Sequence, residues 1–250
     1  MAEPLLRLER VCKRFDGLLA VDNASFAVEA GRITALIGPN GAGKTTLFSI
    51  ISGFLTPSEG RIFHRGAEIT GMAAHLLARR GIVRTFQIAQ PFAGLTVHEN
   101  ITIGAHLSRR SRADALAAAA EVANTVGLGD VLGRPAASLT VAGRKRLEVA
   151  RALAAEPELL LLDEVLAGLN PSEIRDIVPV IRALSARGSA VLMIEHVMQA
   201  VMSLAEHVFV LAEGRIIAQG PPAQVVANPV VVEAYLGHGA AAKLGASNGR

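Results

Sequence analysis

Gly38-Pro39-Asn40-Gly41-Ala42-Gly43-Lys44-Thr45 fits the pattern G-x-x-x-x-G-K-[ST], in which a glycine-rich turn opens a helix and aims backbone N–H groups at nucleotide phosphates. The glycines Gly38, Gly41 and Gly43 permit backbone conformations that a Cβ penalises, so successive N–H groups converge on one anion. Lys44 then reaches the β- and γ-phosphates, Thr45 presents a hydroxyl for Mg²⁺, and Pro39, Asn40, Ala42 and Thr46 complete the phosphate-binding set. The flanks agree with this. Residues 33–37 are a short apolar, partly β-branched run, and residues 46–51 continue with helical apolar spacing. Strand, loop and helix stand in the order the motif requires, which predicts a chain that binds ATP or GTP.

Composition narrows the setting. With 250 residues the chain can build one large domain or two small ones. It is 51% hydrophobic, yet no apolar run approaches the ~18 residues needed to cross a bilayer. The expectation is a soluble chain, compatible with a place against a membrane protein. Met1-Ala2-Glu3-Pro4 does not read as the start of a secretory signal, and the lone Cys12 excludes an internal disulfide and suits a reducing compartment. A cytoplasmic location follows. The net charge of +3 is spread along the chain and aromatics are only 4% of it. The cluster Arg144-Lys145-Arg146 reads as part of a helix, and no nucleic-acid partner is expected.

Patterning predicts strands at residues 5–11, 24–28, 33–37 and 61–64, a helix at 72–80 and an extended run at 81–87. Residues 97–108 and 113–126 favour helix with no strand pattern between them. From residue 158 the α/β alternation resumes, with buried strands at 159–162, 190–194 and 208–211 and a helix at 172–187. The expected organisation is a discontinuous α/β core, 1–90 and 155–236, with an N-terminal β subdomain. A helical subdomain, 91–154, interrupts it, and 237–250 forms a mobile tail.

The strand at 159–162 delivers Asp163-Glu164 to its C-terminal end, where ligands of open α/β sheets bind. Asp163 is expected to hold Mg²⁺ through water opposite Thr45, and Glu164 to face the attacking water as general base. His196 follows the apolar run 191–194 and sits at a second strand end, either incidental or a sensor of the γ-phosphate. Its neighbour Glu195 is equally compatible with a surface carboxylate.

In their order these elements resemble the ATP-binding subunit of ABC transporters over nearly the whole chain, and more closely the LivG-type subunit of branched-chain amino acid importers. Five segments carry the likeness: Phe15-Asp16-Gly17-Leu18-Leu19-Ala20-Val21, Arg84-Thr85-Phe86-Gln87, Ala167-Gly168-Leu169-Asn170-Pro171, Ile194-Glu195-His196 and Glu233-Ala234-Tyr235-Leu236-Gly237. The resemblance implies an α/β P-loop (RecA-like) ATPase core with an antiparallel β subdomain and an inserted α-helical subdomain. It makes Phe15 the aromatic that stacks on adenine, where spacing alone equally allows a core aromatic. Gln87 becomes the lid-loop glutamine that contacts Mg²⁺ and the attacking water. Where the family commonly has Leu-Ser-Gly-Gly-Gln, this chain has Leu139-Thr140-Val141-Ala142-Gly143. Thr140 keeps a hydroxyl at the serine position, while Val141 and Ala142 replace both glycines. Asn170 stands where many relatives have Asp, although the LivG-like subgroup often carries Asn. The implied partners are two transmembrane permease subunits, a second ATPase subunit identical or different, and indirectly a substrate-binding protein, at the cytoplasmic face of the inner membrane. A lipopolysaccharide-export motor, a soluble ATPase of this fold and a non-hydrolysing regulator are the alternatives.

Overall fold

The structure, a computed structural model, describes residues 3–86 and 91–236. Its chain first makes a long hairpin of β1 (Leu6–Phe15) and β2 (Leu18–Val28). The two residues between them, Asp16 and Gly17, lie at φ 40 and 101, the positive pair that a two-residue hairpin turn demands. This corrects the boundaries read from apolar pattern: both strands run on through exposed residues to the Asp-Gly turn. With β4 (Glu59–His64) and β5 (Ala67–Glu68) they form an antiparallel sheet ordered β2-β1-β4-β5.

The second sheet contains β3 (Ile33–Ile37), β6 (Ile82–Arg84), β7 (Leu159–Asp163), β8 (Ala190–Ile194), β9 (His207–Ala212) and β10 (Arg215–Gly220). Its order is β10-β9-β3-β8-β7-β6, parallel throughout except for β10, which returns antiparallel on β9. β10 has no counterpart in the sequence-based reading: its apolar run is only the three residues Ile216-Ile217-Ala218 between Arg215 and Gln219, and these are half-buried. β3, β7 and β8 are buried at every position, as strands covered on both faces must be. Leu160, Leu162, Val191 and Met193 join one apolar cluster, and Leu159, Leu161, Leu192 and Ile194 the other, the period-two alternation of a strand.

α1 (Lys44–Ile51) and α2 (Ala74–Arg79) follow the phosphate loop and β5. α3 (Val97–Ala105), α4 (Arg112–Thr125) and α5 (Val141–Ala154) pack on one another. In α4 the residues Ala115, Ala119 and Ala123 are fully buried. The alanine-rich stretch is therefore a smooth stripe at i, i+4 spacing that lets helices approach. α3 starts with a capping box, in which the Thr96 hydroxyl accepts the Glu99 N–H and Glu99 reaches back to the Thr96 N–H. α6 (Pro171–Ala186), α7 (Met198–Leu204), α8 (Pro222–Val226) and α9 (Pro229–Leu236) complete the chain. No helix among the described residues is long and apolar enough to cross a membrane.

Candidate active site

The buried strand β3 feeds directly into the glycine loop. A Cβ at Gly38 would lie 1.9 Å from the Leu211 carbonyl oxygen, and one at Gly43, where φ is 100°, would lie 2.2 Å from that of Ala20. Only glycine fits either place. Gly43 then caps α1 without a side-chain hydrogen bond, and no acidic residue stands in the first turn, so its N–H groups and positive dipole end are left for an anion. The buried Lys44 ammonium donates to the carbonyls of Gly38 at 2.7 Å and Pro39 at 2.9 Å. Burial lowers its pKa, and the carboxylates of Glu164 and Asp163 oppose that shift. Phe15, Asn40, Gly41, Ala42, Lys44 to Thr46 and Glu164 line one open cleft of about 560 Å³. Phe15 is 40% exposed at the hairpin tip, with the Lys13 ammonium 5.1 Å from its ring centroid. It is no core aromatic.

β7 and β8 bring the carboxylates to the same edge. Asp163 is 2% exposed, and its Oδ2 accepts from the Arg84 guanidinium at 2.6 Å. Arg84 also donates to the hydroxyls of Ser49 at 3.0 Å and Ser52 at 3.1 Å, so it ties the strand end to α1. Glu164 occupies the left-handed region at φ 51. Its N–H donates to the Ile194 carbonyl at 3.0 Å, and its Oε1 lies 2.6 Å from His196 Nε2. His196 is thus joined to Glu164 and is not incidental to the site's geometry. Glu195 is no surface carboxylate: it is 1% exposed and accepts the Leu166 N–H at 2.9 Å. Burial pushes its carboxyl up to about 7, against the Leu166 hydrogen bond and the Lys145 ammonium.

The Thr45 hydroxyl and the Asp163 carboxylate are oxygen donors of the kind Mg²⁺ takes, and no group of three or more His, Cys, Asp or Glu with metal-holding placement exists among the described residues. That donor set fits a cation which keeps waters and completes its shell with phosphate oxygens. Gln87 lies outside the described residues.

Leu139 to Gly143 stand elsewhere, none of them lining the cleft. Thr140 is the N-cap of α5, its hydroxyl accepting the Gly143 N–H at 3.1 Å. Val141 is 61% exposed, and Ala142 follows it in the first turn of α5. The basic trio lies on this helix, and two of its members tie α5 to other segments. Arg144 donates to the Leu139 carbonyl, Lys145 to the carbonyls of Glu164 and Ala167, and Arg146 to Asp176. Asn170 caps α6, its amide oxygen accepting the N–H groups of Ser172 and Glu173.

A family profile described as "ABC transporter" matches residues 21–167. The chain belongs to the ABC transporter ATP-binding family. Residues 215–241 match a second profile, "Branched-chain amino acid ATP-binding cassette transporter". The high-affinity branched-chain amino acid transport ATP-binding protein BraF of Pseudomonas aeruginosa is 40% identical, over 95% of this chain and 99% of BraF. LivG of Escherichia coli is 38% identical over the same shares. A nucleotide-free ATP-binding cassette from an ABC transporter superposes with a TM-score of 0.86 at 34% identity, covering 94% of this chain and all of the other.

Sequence reasoning missed several residues of this ABC ATPase site. Arg84 entered only as a letter of a shared segment, yet it holds Asp163. The turn Glu213-Gly214 between β9 and β10 lines the cleft. Arg84 and Glu195 both stand at C-terminal ends of parallel strands, and that position was the available signal.

Proposed function

We propose that this ABC ATPase powers an importer that carries branched-chain amino acids, or a related small polar solute, inward from its place at the cytoplasmic face of the inner membrane. One observation carries the catalytic part: Phe15, the phosphate loop and Glu164 line one cleft. In this reading Phe15 stacks on adenine, residues 38–46 cradle the phosphates, and Lys44 releases its loop carbonyls to meet the β- and γ-phosphates. Thr45, Asp163 and Gln87 hold Mg²⁺, which spreads the charge of the transferring phosphoryl group. Glu164 takes the proton of a water that attacks the γ-phosphorus as the bond to ADP breaks, and His196 holds the Glu164 carboxylate in line.

Because residues 139–143 lie away from their own chain's cleft, two ATPase subunits pair head to tail, each α5 start closing the other's site. The second subunit is a copy of this chain or a related one. ATP binding closes the pair and hydrolysis reopens it. The core, 1–90 and 155–236, then binds nucleotide, while 91–154 forms the helical unit that meets two permease subunits. A groove lined by Val83, Phe86, Ile103, Leu107 and Arg151, with Phe86, Ile103 and Leu107 all more than 40% exposed, suits a cytoplasmic helix of the permease. The surface at residues 95–99 lies at the start of the helix that carries Ile103. A substrate-binding protein feeds the assembly from outside.

Affinity purification of the tagged chain from gently solubilised membranes, followed by mass spectrometry, tests the assembly. Recovery of two multi-spanning permeases and a second ATPase is expected, and the companion binding protein then reports the cargo by ligand screening. Recovery only from the soluble fraction would sink the transport reading and leave the ATPase.

A further inference from the structure

Ile194, which ends β8, and the two residues after it grip the segment that follows β7. The Ile194 carbonyl accepts the Glu164 N–H at 3.0 Å, Glu195 Oε1 accepts the Leu166 N–H at 2.9 Å, and His196 Nε2 meets Glu164 Oε1 at 2.6 Å. From the opposite side, Lys145 of α5 donates to the carbonyls of Glu164 and Ala167. Inside this grip Glu164 sits at φ 51. A non-glycine residue there is strained and stays only where its surroundings over-determine it.

Glu195 is a costly member of this set. It is 1% exposed, and its Oε2 is buried with no hydrogen-bond partner among the described residues. A buried carboxylate with one oxygen unsatisfied opposes folding, so stability does not account for it. What it does hold is one N–H of the segment that joins the carboxylate pair to the Asn170 cap.

We propose that Glu195 is a positioning residue for hydrolysis: by fixing the Leu166 amide it maintains the left-handed turn that aims Glu164. This rests on Glu164 being the hydrolytic base. The side chain acts as a hydrogen-bond acceptor, and a neutral acceptor of the same shape serves as well. Lys145, Glu164 and the His196 backbone are the groups that face it.

The test uses the full-length chain in the complex with which it purifies from membranes, measuring kcat, KM for ATP and equilibrium binding of a non-hydrolysable ATP analogue. For E195A the expected result is a fall in kcat of about tenfold to a hundredfold, the size set by a misaimed catalytic group. KM and analogue affinity should stay within about twofold, the split that separates positioning from ground-state binding. E195Q should recover most of kcat. Unchanged kcat in E195A overturns the proposal, and so does an E195Q as impaired as E195A. If E195A fails to fold, E195M keeps the volume without the acceptor and is held to the same split. Amide hydrogen exchange of the unmutated complex offers a check that needs no variant: Leu166 should exchange slowly, and rapid exchange overturns the proposal. E164Q, run in parallel, keeps the two readings apart. An active E164Q removes the base assignment, whereas an inactive E164Q beside a fully active E195A removes the positioning role alone.

Discussion

Two helix starts, those of α1 and α5, are built in opposite ways. α1 begins after Gly43 at φ 100 with no side-chain cap, and its first residue is a buried lysine. α5 begins after Thr140 in extended backbone, with the hydroxyl already holding the Gly143 N–H, and presents Val141 at 61% exposure. The first is left unsatisfied by its own chain and has a cation beside it, as a site that takes phosphate unaided requires. The second satisfies part of itself and shows an apolar side chain outward, which suits a surface that completes another subunit's site. One anion-binding geometry thus serves as a primary site or as a closing face, depending on what the N-cap leaves open.

The largest expected effect removes the chemistry at the α1 end while sparing the α5 end. Glu164→Gln should lower phosphate release by about 10²–10⁴-fold, the usual contribution of a general base. ATP should still bind, so the α5 face still finds its partner and an ATP-bound dimer accumulates on size exclusion. Hydrolysis at the parent rate would take Glu164 out of the base role.

Alanine substitutions at the two glycines sharpen the contrast directly. In Gly43→Ala the new methyl lies 2.2 Å from the Ala20 carbonyl oxygen at positive φ, so strain and overpacking together should cost about 2–5 kcal/mol and abolish nucleotide binding. In Gly143→Ala the methyl lies inside α5, 3.3 Å from the Leu139 Cβ. Helix propensity there returns about 1 kcal/mol, offset by the small shift Leu139 must make, and stability should change little. Urea midpoints and nucleotide titrations check both, and equal losses would erase the distinction between the two helix starts.

The sequence made the phosphate loop, the strand ending in Asp163-Glu164 and His196 readable because each rests on local spacing: glycines at fixed offsets, or an apolar run that stops at a polar residue. The β1–β2 hairpin was underread because its outer half is exposed, and only Asp16-Gly17 marks the turn. Arg84, Lys145 and Glu195 could not be ranked from spacing, since their partners Asp163, Glu164 and Leu166 lie 79, 19 and 29 residues away. Glu195 shows the limit most clearly. At the end of a buried strand a carboxylate is equally consistent with solvent and with a loop folded over it, and only the path of residues 164–170 decides which.

That buried carboxyl, which lies near the Lys145 ammonium, gives a pH signature. Its pKa rises from 4.5 to about 7 in the folded chain, so between those values the folded state binds more protons than the unfolded one. The associated stability is fully present below about 4.5 and is lost as pH rises through about 7, up to about 3 kcal/mol. Glu195→Gln cannot titrate and should remove this component. The difference between parent and variant unfolding free energies should therefore slope across pH 4.5–7, and a flat difference would mean that the Leu166 N–H and Lys145 already hold Glu195 ionised.

The smallest effect separates the two uses of the Thr140 hydroxyl. Thr140→Ala removes the acceptor for the Gly143 N–H and should cost about 1 kcal/mol of stability, with Thr140→Ser restoring it. If capping is the hydroxyl's whole role, kcat of the alanine variant should match the parent once both are assayed well below their melting temperatures. A hydroxyl that also donates to a nucleotide bound on the second subunit, where the O–H remains available after the oxygen has accepted, predicts a further loss in kcat that the serine variant recovers and a glycine cap does not. Glycine at the N-cap keeps most of the stability and carries no side-chain donor, so stability and turnover part company at this one position, and the α5 start then serves its own helix and its neighbour's substrate with the same atom.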